Sequence, residues 1–240
     1  MIQRTAGDGR GLALLALETA TSETIVAIQP HPSAAVVAER WAAGHAHGER
    51  LLASVDRVLA GAGIGLEDVG VIAVGTGPGS FTGLRIGLAA AKGLAFGLAI
   101  RIVGVPTPEV IARALGHADR VVVLQPAGPS GRYRTVVERD ANGRWRAGPS
   151  EMVTEAEGTR GEADAAGETV AVDLPDANAR AGELGRSAMA QLPEALVEAA
   201  RERLDSRGPD DLAELVPSYV SPPRGAALTD ASITWSRVRP

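Results

Sequence analysis

An unbroken apolar segment, VGVIAVG at residues 69–75, limits the fold of this chain more than any other feature. It shows no polar alternation, which is typical of a strand that is covered on both faces of its sheet. A glycine-rich turn follows, and the apolar sequence beyond that turn predicts a helix from about Ser80 to Leu98. A buried strand, a tight turn and a long helix in this order indicate an α/β fold.

The flanking patterns extend this unit in both directions. Strands are expected at 12–18, 24–29, 34–41 and 100–105, and helices at 47–63 and 106–116. The first three strands are separated by short turns and predict an antiparallel meander. Thr107 is expected to cap the last helix and Gly116 to end it. The resulting order, βββαβαβα, is that of one half of an actin-like (RNase H-like, ASKHA) fold.

The second half of the chain has weaker patterns and predicts a smaller, degenerate second half of the fold. We expect an N-terminal half-domain at 1–116, a C-terminal half-domain at 117–221 and a flexible tail at 222–240. The expected elements are strands at 120–125, 133–140 and 169–174, a hairpin turn at 141–144, a loop at 155–169, and two or three helices within 178–215.

Composition excludes several classes of protein. A formal net charge of −5 argues against a broad, sequence-independent grip on nucleic acid, and three Trp, two Tyr and two Phe are too few for a base-stacking surface. The absence of cysteine excludes disulfides, thiolate catalysis and cysteine-ligated zinc. The apolar run at 12–17 is too short for a signal peptide or a membrane span, so we expect a soluble, cytoplasmic protein without a membrane partner.

The glycine-rich turn, GTGPGSFTG at 75–83, could receive a phosphate at the N-terminus of the following helix. It is not a Walker loop, because no Lys-Ser or Lys-Thr pair closes it and Lys92 lies further along the helix. The alternative is structural: residues 77–79 form a tight turn and Ser80 caps the helix.

The first predicted hairpin, LLALETATSE, carries an acid and hydroxyl groups at the end of a strand. In actin-like ATPases this hairpin supplies such groups to a nucleotide, so Glu18, Thr19 and Thr21 are candidate residues of a vestigial nucleotide site. Alternatively, the hydroxyls satisfy the backbone of a tight turn. His45 and His47 lack the spacing of a helical metal-binding pair and no G-x-S-x-G elbow occurs, so we expect no metal, no cofactor and no catalytic residue.

The long helix has two apolar sides where a surface helix has one. At 100° per residue, the side that can pack on the sheet collects Leu84, Gly87, Leu88, Ala91, Leu94, Ala95 and Leu98. The opposite side, where a surface helix carries charge, collects Ile86, Ala89, Ala90, Gly93, Phe96 and Gly97. Either the C-terminal part of the chain covers this second side, or another protein does. We favour a protein partner, because one side of such a helix is often open in this half-domain.

Three blocks of the sequence resemble the bacterial TsaB (YeaZ) family. They are ALETATSETIVAI for the first hairpin, HGERLLASVDRVL for the first helix, and VGTGPGSFTGLRIGLAAAKGLAFGLAIRIVGVPT for the turn, the long helix and the next strand. The resemblance covers about residues 12–116, and VVERDANGRW and AELVPSYVSPP are similar to later segments of the family. The chain departs from the family at Glu18, where aspartate is more common, and in QPAGPSGRYR, which lacks an Asp-Ala-Arg pattern.

The resemblance implies an actin-like fold and a scaffolding role. Proteins of this family pair with a catalytic paralogue, TsaD, and with an ATPase, TsaE, in a complex that transfers a threonylcarbamoyl group to the adenosine beside the anticodon of tRNA. The expected partners are therefore TsaD-like and TsaE-like proteins, with tRNA as the substrate of the complex. The sequence does not decide whether the chain also forms a homodimer through the same side of the helix. The alternative is an enzyme: a nucleotide hydrolase acting through Glu18 and Thr19, or a metallopeptidase, as the family's older glycoprotease label implies.

Overall fold

The computed structural model describes residues 13–42, 47–116, 118–128, 131–154 and 167–220, without the side chains of residues 47–49. The strands are β1 (Ala13–Glu18), β2 (Glu23–Gln29), β3 (Val37–Ala42), β4 (Val69–Gly75), β5 (Arg101–Val105), β6 (Arg120–Pro126), β7 (Gly131–Arg139), β8 (Trp145–Thr154) and β9 (Glu168–Ala171). The helices are α1 (His47–Ala62), α2 (Phe81–Leu98), α3 (Thr107–Leu115), α4 (Ala179–Ala190) and α5 (Leu192–Arg207). The expected tail at 222–240 and most of the expected loop at 155–169 lie outside the described residues.

The first sheet has the strand order β3-β2-β1-β4-β5. Strand β1 pairs antiparallel with β2 and parallel with β4, β2 pairs antiparallel with β3, and β4 pairs parallel with β5. Strands β1 and β4 are buried along their whole length, because helices cover both faces of the sheet. The predicted meander, the buried strand at 69–75 and the order βββαβαβα are confirmed.

The second sheet repeats this order with four strands, β8-β7-β6-β9. Strand β6 pairs antiparallel with β7 and parallel with β9, as β1 does with β2 and β4. The turn expected at 141–144 joins β7 to β8 and is confirmed by a hydrogen bond from the Gly143 amide to the Asp140 carbonyl oxygen at 2.8 Å.

Two features of the second sheet differ from expectation. Strand β8 was not predicted, because Gly148 and Pro149 disfavour a strand. They lie near a register shift between β7 and β8, and β8 is an edge strand, where proline is tolerated. The end of the expected loop is wrong as well, because Glu168 and Thr169 belong to β9.

Helices α3, α4 and α5 contribute to one core that both sheets share. This core joins Leu14 of the first sheet and Val121 of the second to Ile111 and Leu196 of the helices. A second core, on the opposite face of the first sheet, holds α1 and α2. Helix α5 therefore packs on the first sheet although it lies in the range expected for the C-terminal half-domain. Whether the two half-domain ranges behave as separate units stays a prediction.

After α5 the chain returns to the first sheet as an irregular segment, residues 208–220, which we call the C-terminal strap. Asp210 forms an antiparallel bridge with Ile102 of β5. The amide of Ser218 donates to the carbonyl oxygen of Thr76 at 2.8 Å, at the end of β4. The strap thus lies beside the edge strand of the first sheet and continues to the turn that precedes α2.

Candidate functional site

The turn between β4 and α2 is held by hydrogen bonds within the chain. The amide of Gly77 donates to Oγ1 of Thr107 at 3.1 Å, and the amide of Ser80 donates to the carbonyl oxygen of Ala20 at 2.8 Å. The Ser80 hydroxyl accepts from the amide of Gly83 at 3.1 Å and caps the helix. The predicted cap at Ser80 is therefore confirmed, and the amides of Gly77, Ser80 and Gly83 already have acceptors within the chain.

Glu18 ends β1, and its side chain is fully buried. Its Oε1 accepts from the amides of Thr19 at 2.8 Å and Ala20 at 2.7 Å, and its Oε2 accepts from the hydroxyl of Thr107 at 2.9 Å. Burial raises the pKa of Glu18 above its ordinary value, although these hydrogen bonds oppose part of the shift. A Cβ atom at Gly75 would lie 2.1 Å from Oε2, so the carboxylate fits closely against β4.

Thr19 and Thr21 are buried beside Glu18. Oγ1 of Thr19 has no hydrogen-bond partner among the described residues and lies against Gly87 of α2. The hydroxyl of Thr21 donates to the carbonyl oxygen of Glu23 at 2.9 Å, within its own turn. The structure thus brings the three candidate nucleotide residues together but beneath the surface, and the turn-satisfying interpretation fits Thr21. A nucleotide role for them stays a prediction.

Thr107 does not cap α3, so that expectation is wrong. The N-cap residue is Pro106, and Thr107 is the first residue of the helix. Its hydroxyl bridges Glu18 and the amide of Gly77, because a fully buried carboxylate needs a hydrogen-bond donor. The expected end of the helix is confirmed, with Gly116 in the left-handed region at φ 75°.

One side of α2, which we call the inner side, packs on the first sheet and the first hairpin. Its buried members are Gly83, Leu84, Gly87, Leu88, Ala91 and Ala95. A Cβ atom on Gly83 would lie 1.9 Å from the carbonyl oxygen of Thr19, and one on Gly87 would lie 2.2 Å from Oγ1 of the same residue. The glycines therefore set how closely the helix approaches the hairpin. Leu94 and Leu98, expected on this side, are only half-buried.

The opposite side, which we call the outer side, is exposed and consists of Ala89, Gly93, Phe96 and Gly97. The Phe96 side chain is 77% exposed, and no atom lies within 4 Å of a Cβ built on Gly93 or Gly97. Ile86 and Ala90, from the same predicted interface, are half-buried and pack against the core below. The structure therefore leaves four of the six predicted interface residues open.

Helix α2 is long and apolar enough to cross a membrane by length and composition, with a mean hydropathy of 1.2 and 33% of its residues buried. Its inner side, however, packs on the first sheet. The helix is therefore a core helix with one uncovered side rather than a clear membrane span.

The C-terminal strap covers one edge of α2. The ammonium group of Lys92 donates to the carbonyl oxygens of Ala213 at 3.3 Å and Leu215 at 3.0 Å. Leu212 and Leu215 pack against the core on which α2 lies. The described part of the C-terminal segment thus reaches the helix edge and leaves the outer side uncovered.

At the N-terminal end of α2, Phe81, Arg85 and Tyr219 form an exposed cluster. The Arg85 guanidinium lies 4.0 Å from the centroid of the Phe81 ring, and its Nε donates to the Tyr219 hydroxyl at 3.3 Å. The two aromatic rings have centroids 5.4 Å apart. Sequence reasoning missed this cluster because Tyr219 lies 134 residues beyond Arg85. The sequence signal that was available is the block AELVPSYVSPP, which contains Tyr219 and is similar to a later segment of the TsaB family.

A cleft of about 480 Å³ lies where the first hairpin meets the second sheet and α4. Asp173 closes part of it: its Oδ2 accepts from the amide of Ser22 at 2.6 Å, and its Oδ1 accepts from the hydroxyl of Ser22. The residues that line this cleft do not include Glu18, Thr19 or Thr21. The candidate nucleotide residues therefore do not line this cleft.

Within the described ranges, no group of three or more histidine or acidic side chains could hold a metal ion. His45 and the side chain of His47 lie outside those ranges, so the prediction about this pair is not addressed by the structure.

These features define a class of protein: a two-sheet α/β chain with a buried hairpin acid and a long helix that is open on one side. YeaZ from Pseudomonas aeruginosa has a similar solved structure, with a TM-score of 0.67 over 87% of this chain and 99% of that chain, at 24% sequence identity. The expected actin-like α/β fold is confirmed.

The relatives found by sequence comparison point to a particular family, whereas the structural similarity shows only the fold. The chain is 34% identical over 149 residues to the tRNA threonylcarbamoyladenosine biosynthesis protein TsaB of Escherichia coli (strain K12), covering 61% of this chain and 64% of that protein. It is 36% identical over 134 residues to TsaB of Haemophilus influenzae, covering 55% of this chain and 56% of that protein. The resemblance to TsaB is confirmed, and the match spans between about half and two thirds of these relatives. The family model TsaD, tRNA N6-adenosine threonylcarbamoyltransferase, matches residues 38–149.

Proposed function

We propose that this chain is a TsaB-like, non-catalytic subunit of a cytoplasmic complex that installs threonylcarbamoyl on the adenosine beside the anticodon of tRNA. In this proposal it binds and supports a TsaD-like catalytic paralogue, and a TsaE-like ATPase completes the complex. The observation that carries the proposal is the outer side of α2, an apolar, small-residue surface that the described chain leaves uncovered. The names of the relatives supply the tRNA-modification context.

The choice of partner rests on sequence relationship and on helix packing. The TsaD family model matches residues 38–149, a range that contains the whole of α2. TsaD-like proteins are therefore expected to carry an equivalent strand, turn and helix. Small residues at 89, 93 and 97 allow a second helix to approach closely, and Phe96 offers an exposed ring that a partner can bury.

The non-catalytic part of the proposal is supported by the surroundings of Glu18. Both carboxylate oxygens already accept hydrogen bonds from the chain, and the side chain is fully buried. A nucleotide hydrolase would need this acid, with Thr19, to reach a phosphate or its metal ion. In this structure, Glu18 and Thr19 could contact a phosphate or a metal ion only if the first hairpin opened and broke its contacts with α2 and Thr107.

A second copy of this chain could occupy the same outer side. A homodimer and the complex with the paralogue would then compete, because both would bury Phe96 and its small neighbours. Self-association is therefore expected to weaken as the paralogue is added.

Reconstitution tests the proposed function. The purified chain is combined with its TsaD-like and TsaE-like proteins, ATP, the threonylcarbamoyl donor and unmodified tRNA, and the modified nucleoside is measured by mass spectrometry. We expect modification to require the chain, while the chain alone hydrolyses neither ATP nor glycoprotein substrates. Full modification without the chain would contradict the scaffold role. So would ATP turnover by the chain alone that disappears in Glu18→Ala.

A further inference from the structure

We infer that the Phe81–Arg85–Tyr219 cluster is the charged part of the partner surface and binds a carboxylate of the TsaD-like paralogue. This inference rests on the proposed function and adds to it the chemistry of the contact. Arg85 precedes Ala89 by four residues and Phe96 by eleven, which places the three within about 40° of one another around the helix. The cluster therefore continues the outer side toward the N-terminal end of α2.

The electrostatics of Arg85 point to an acidic group on the partner. Its guanidinium contacts the Phe81 ring and the Tyr219 hydroxyl, and no carboxylate within the described ranges forms an ion pair with it. The two contacts hold the planar group against the helix and leave its terminal nitrogens without acceptors from the described residues. A guanidinium held in this way is suited to two parallel hydrogen bonds with one carboxylate.

The aromatic neighbours strengthen such a contact. Phe81 and Tyr219 are 40% and 44% exposed, so a partner that covers Arg85 also buries the remaining ring surface. Arginine and tyrosine are enriched among the residues that dominate binding energy, and removal of water strengthens the ion pair that they surround. Tyr219 belongs to the C-terminal strap, so the strap supplies part of this surface.

The charge of α2 also favours the paralogue over a second copy of the chain as the binding partner. Helix α2 carries two cations, Arg85 and Lys92, and no acidic residue. Two copies packed through the outer side would bring their two exposed Arg85 side chains to one interface without any acid from either helix, which is unfavourable. A different protein that places an acid opposite Arg85 avoids this repulsion.

The test measures the affinity of the full chain for the TsaD-like paralogue by calorimetry. Arg85→Glu is compared with Arg186→Glu, a charge-matched change at an exposed arginine of α4, which belongs to the other sheet's layer. We expect Arg85→Glu to bind about 30-fold more weakly or worse, because it sets two acids against each other, and Arg186→Glu to bind within about twofold of wild type. Arg85→Gln should also make the affinity less dependent on salt than it is in the wild type.

The outcomes distinguish the inference from the proposed function. If Arg85→Glu binds as well as Arg186→Glu, the inference is wrong, whereas wild-type binding would still support the scaffold role. If the wild-type chain does not bind the paralogue, both are wrong. If Arg85→Glu breaks a self-dimer in light scattering but leaves paralogue affinity unchanged, the cluster belongs to a contact between copies and the inference is overturned. Melting curves of both variants are expected to match wild type, because both arginines are exposed.

Discussion

The inner and outer sides of helix α2 are both built from small and apolar residues, yet they meet different surroundings. On the inner side, Gly83 and Gly87 lie so close to Thr19 that a Cβ atom would overlap it. On the outer side, Gly93 and Gly97 have nothing within 4 Å of the same built atom. One set of glycines is required by packing inside the chain, and the other set is not.

This difference indicates what the outer side is for. Glycine inside a helix costs about 1 kcal/mol relative to alanine. On the inner side, close packing of α2 on the first hairpin offsets that cost. On the outer side no contact among the described residues does so, which supports a role in association with another protein. The following predictions test the comparison, from the largest expected effect to the smallest.

Gly83→Ala is expected to destabilise the chain by about 3 kcal/mol or more, because the new methyl group would overlap the carbonyl oxygen of Thr19 and force α2 away from the hairpin. The change in the free energy of unfolding is measured by urea denaturation. Gly93→Ala, in the same helix, is the matched control. Equal effects of the two substitutions would show that the two sides do not differ in packing.

Glu18→Ala is expected to cost about 2 kcal/mol, since it leaves the buried amides of Thr19 and Ala20 without their acceptor. The inner side of α2 packs on this turn, so the loss should also loosen the helix in hydrogen exchange. Unchanged stability in Glu18→Ala would mean that the acid does not hold the hairpin.

The pH dependence of stability provides a further readout at Glu18. Burial raises its pKa in the folded chain above the ordinary value of 4.5, so near that pH the folded chain binds more protons than the unfolded chain. The contribution of Glu18 to the free energy of unfolding therefore falls as the pH rises from about 4.5 through the raised pKa. Glu18→Gln lacks this titration, so its stability relative to wild type should increase over the same interval. A difference that stays constant with pH would contradict the burial of this carboxylate.

Gly93→Ala has the smallest expected effect on the free chain, and its sign is opposite. It should raise the free energy of unfolding by about 1 kcal/mol, because alanine is the better helix former and the site is open. The melting temperature would rise by about 2–4 °C in a chain of this size. The same methyl group should weaken binding of the paralogue. A variant with higher stability and unchanged affinity would place Gly93 outside the interface.

The sequence predicted the elements of the first half well, because its periodicities are strong and local. The buried strand at 69–75 and the two sides of α2 follow from the spacing of apolar residues alone. The half-burial of Ile86 and Ala90 could not be predicted from this spacing, because it depends on how deeply the helix sits on the sheet. Strand β8 was missed because an edge strand tolerates the proline that local propensity penalises.

The parts of the site that sequence could not predict join distant segments of the chain. Thr107 fits the pattern of a helix cap, yet its hydroxyl binds Glu18, 89 residues away. Tyr219 meets Arg85 only because the C-terminal strap runs beside the edge strand of the first sheet and continues to the turn before α2. Local propensity contains no information about such pairs, which depend on the tertiary fold.

The central claim, that the outer side of α2 binds the TsaD-like paralogue, is tested most directly by Ala89→Arg with Leu88→Arg as its neighbour on the inner side. Ala89 is exposed and Leu88 is buried, so Ala89→Arg should melt close to wild type while Leu88→Arg places a charge in the core and unfolds the chain. The decisive measurement is the affinity of Ala89→Arg for the paralogue, which we expect to fall about 100-fold or more because the long cation is buried without a partner or holds the helices apart. Wild-type affinity in a folded Ala89→Arg variant, or unfolding as severe as that of Leu88→Arg, would contradict the claim.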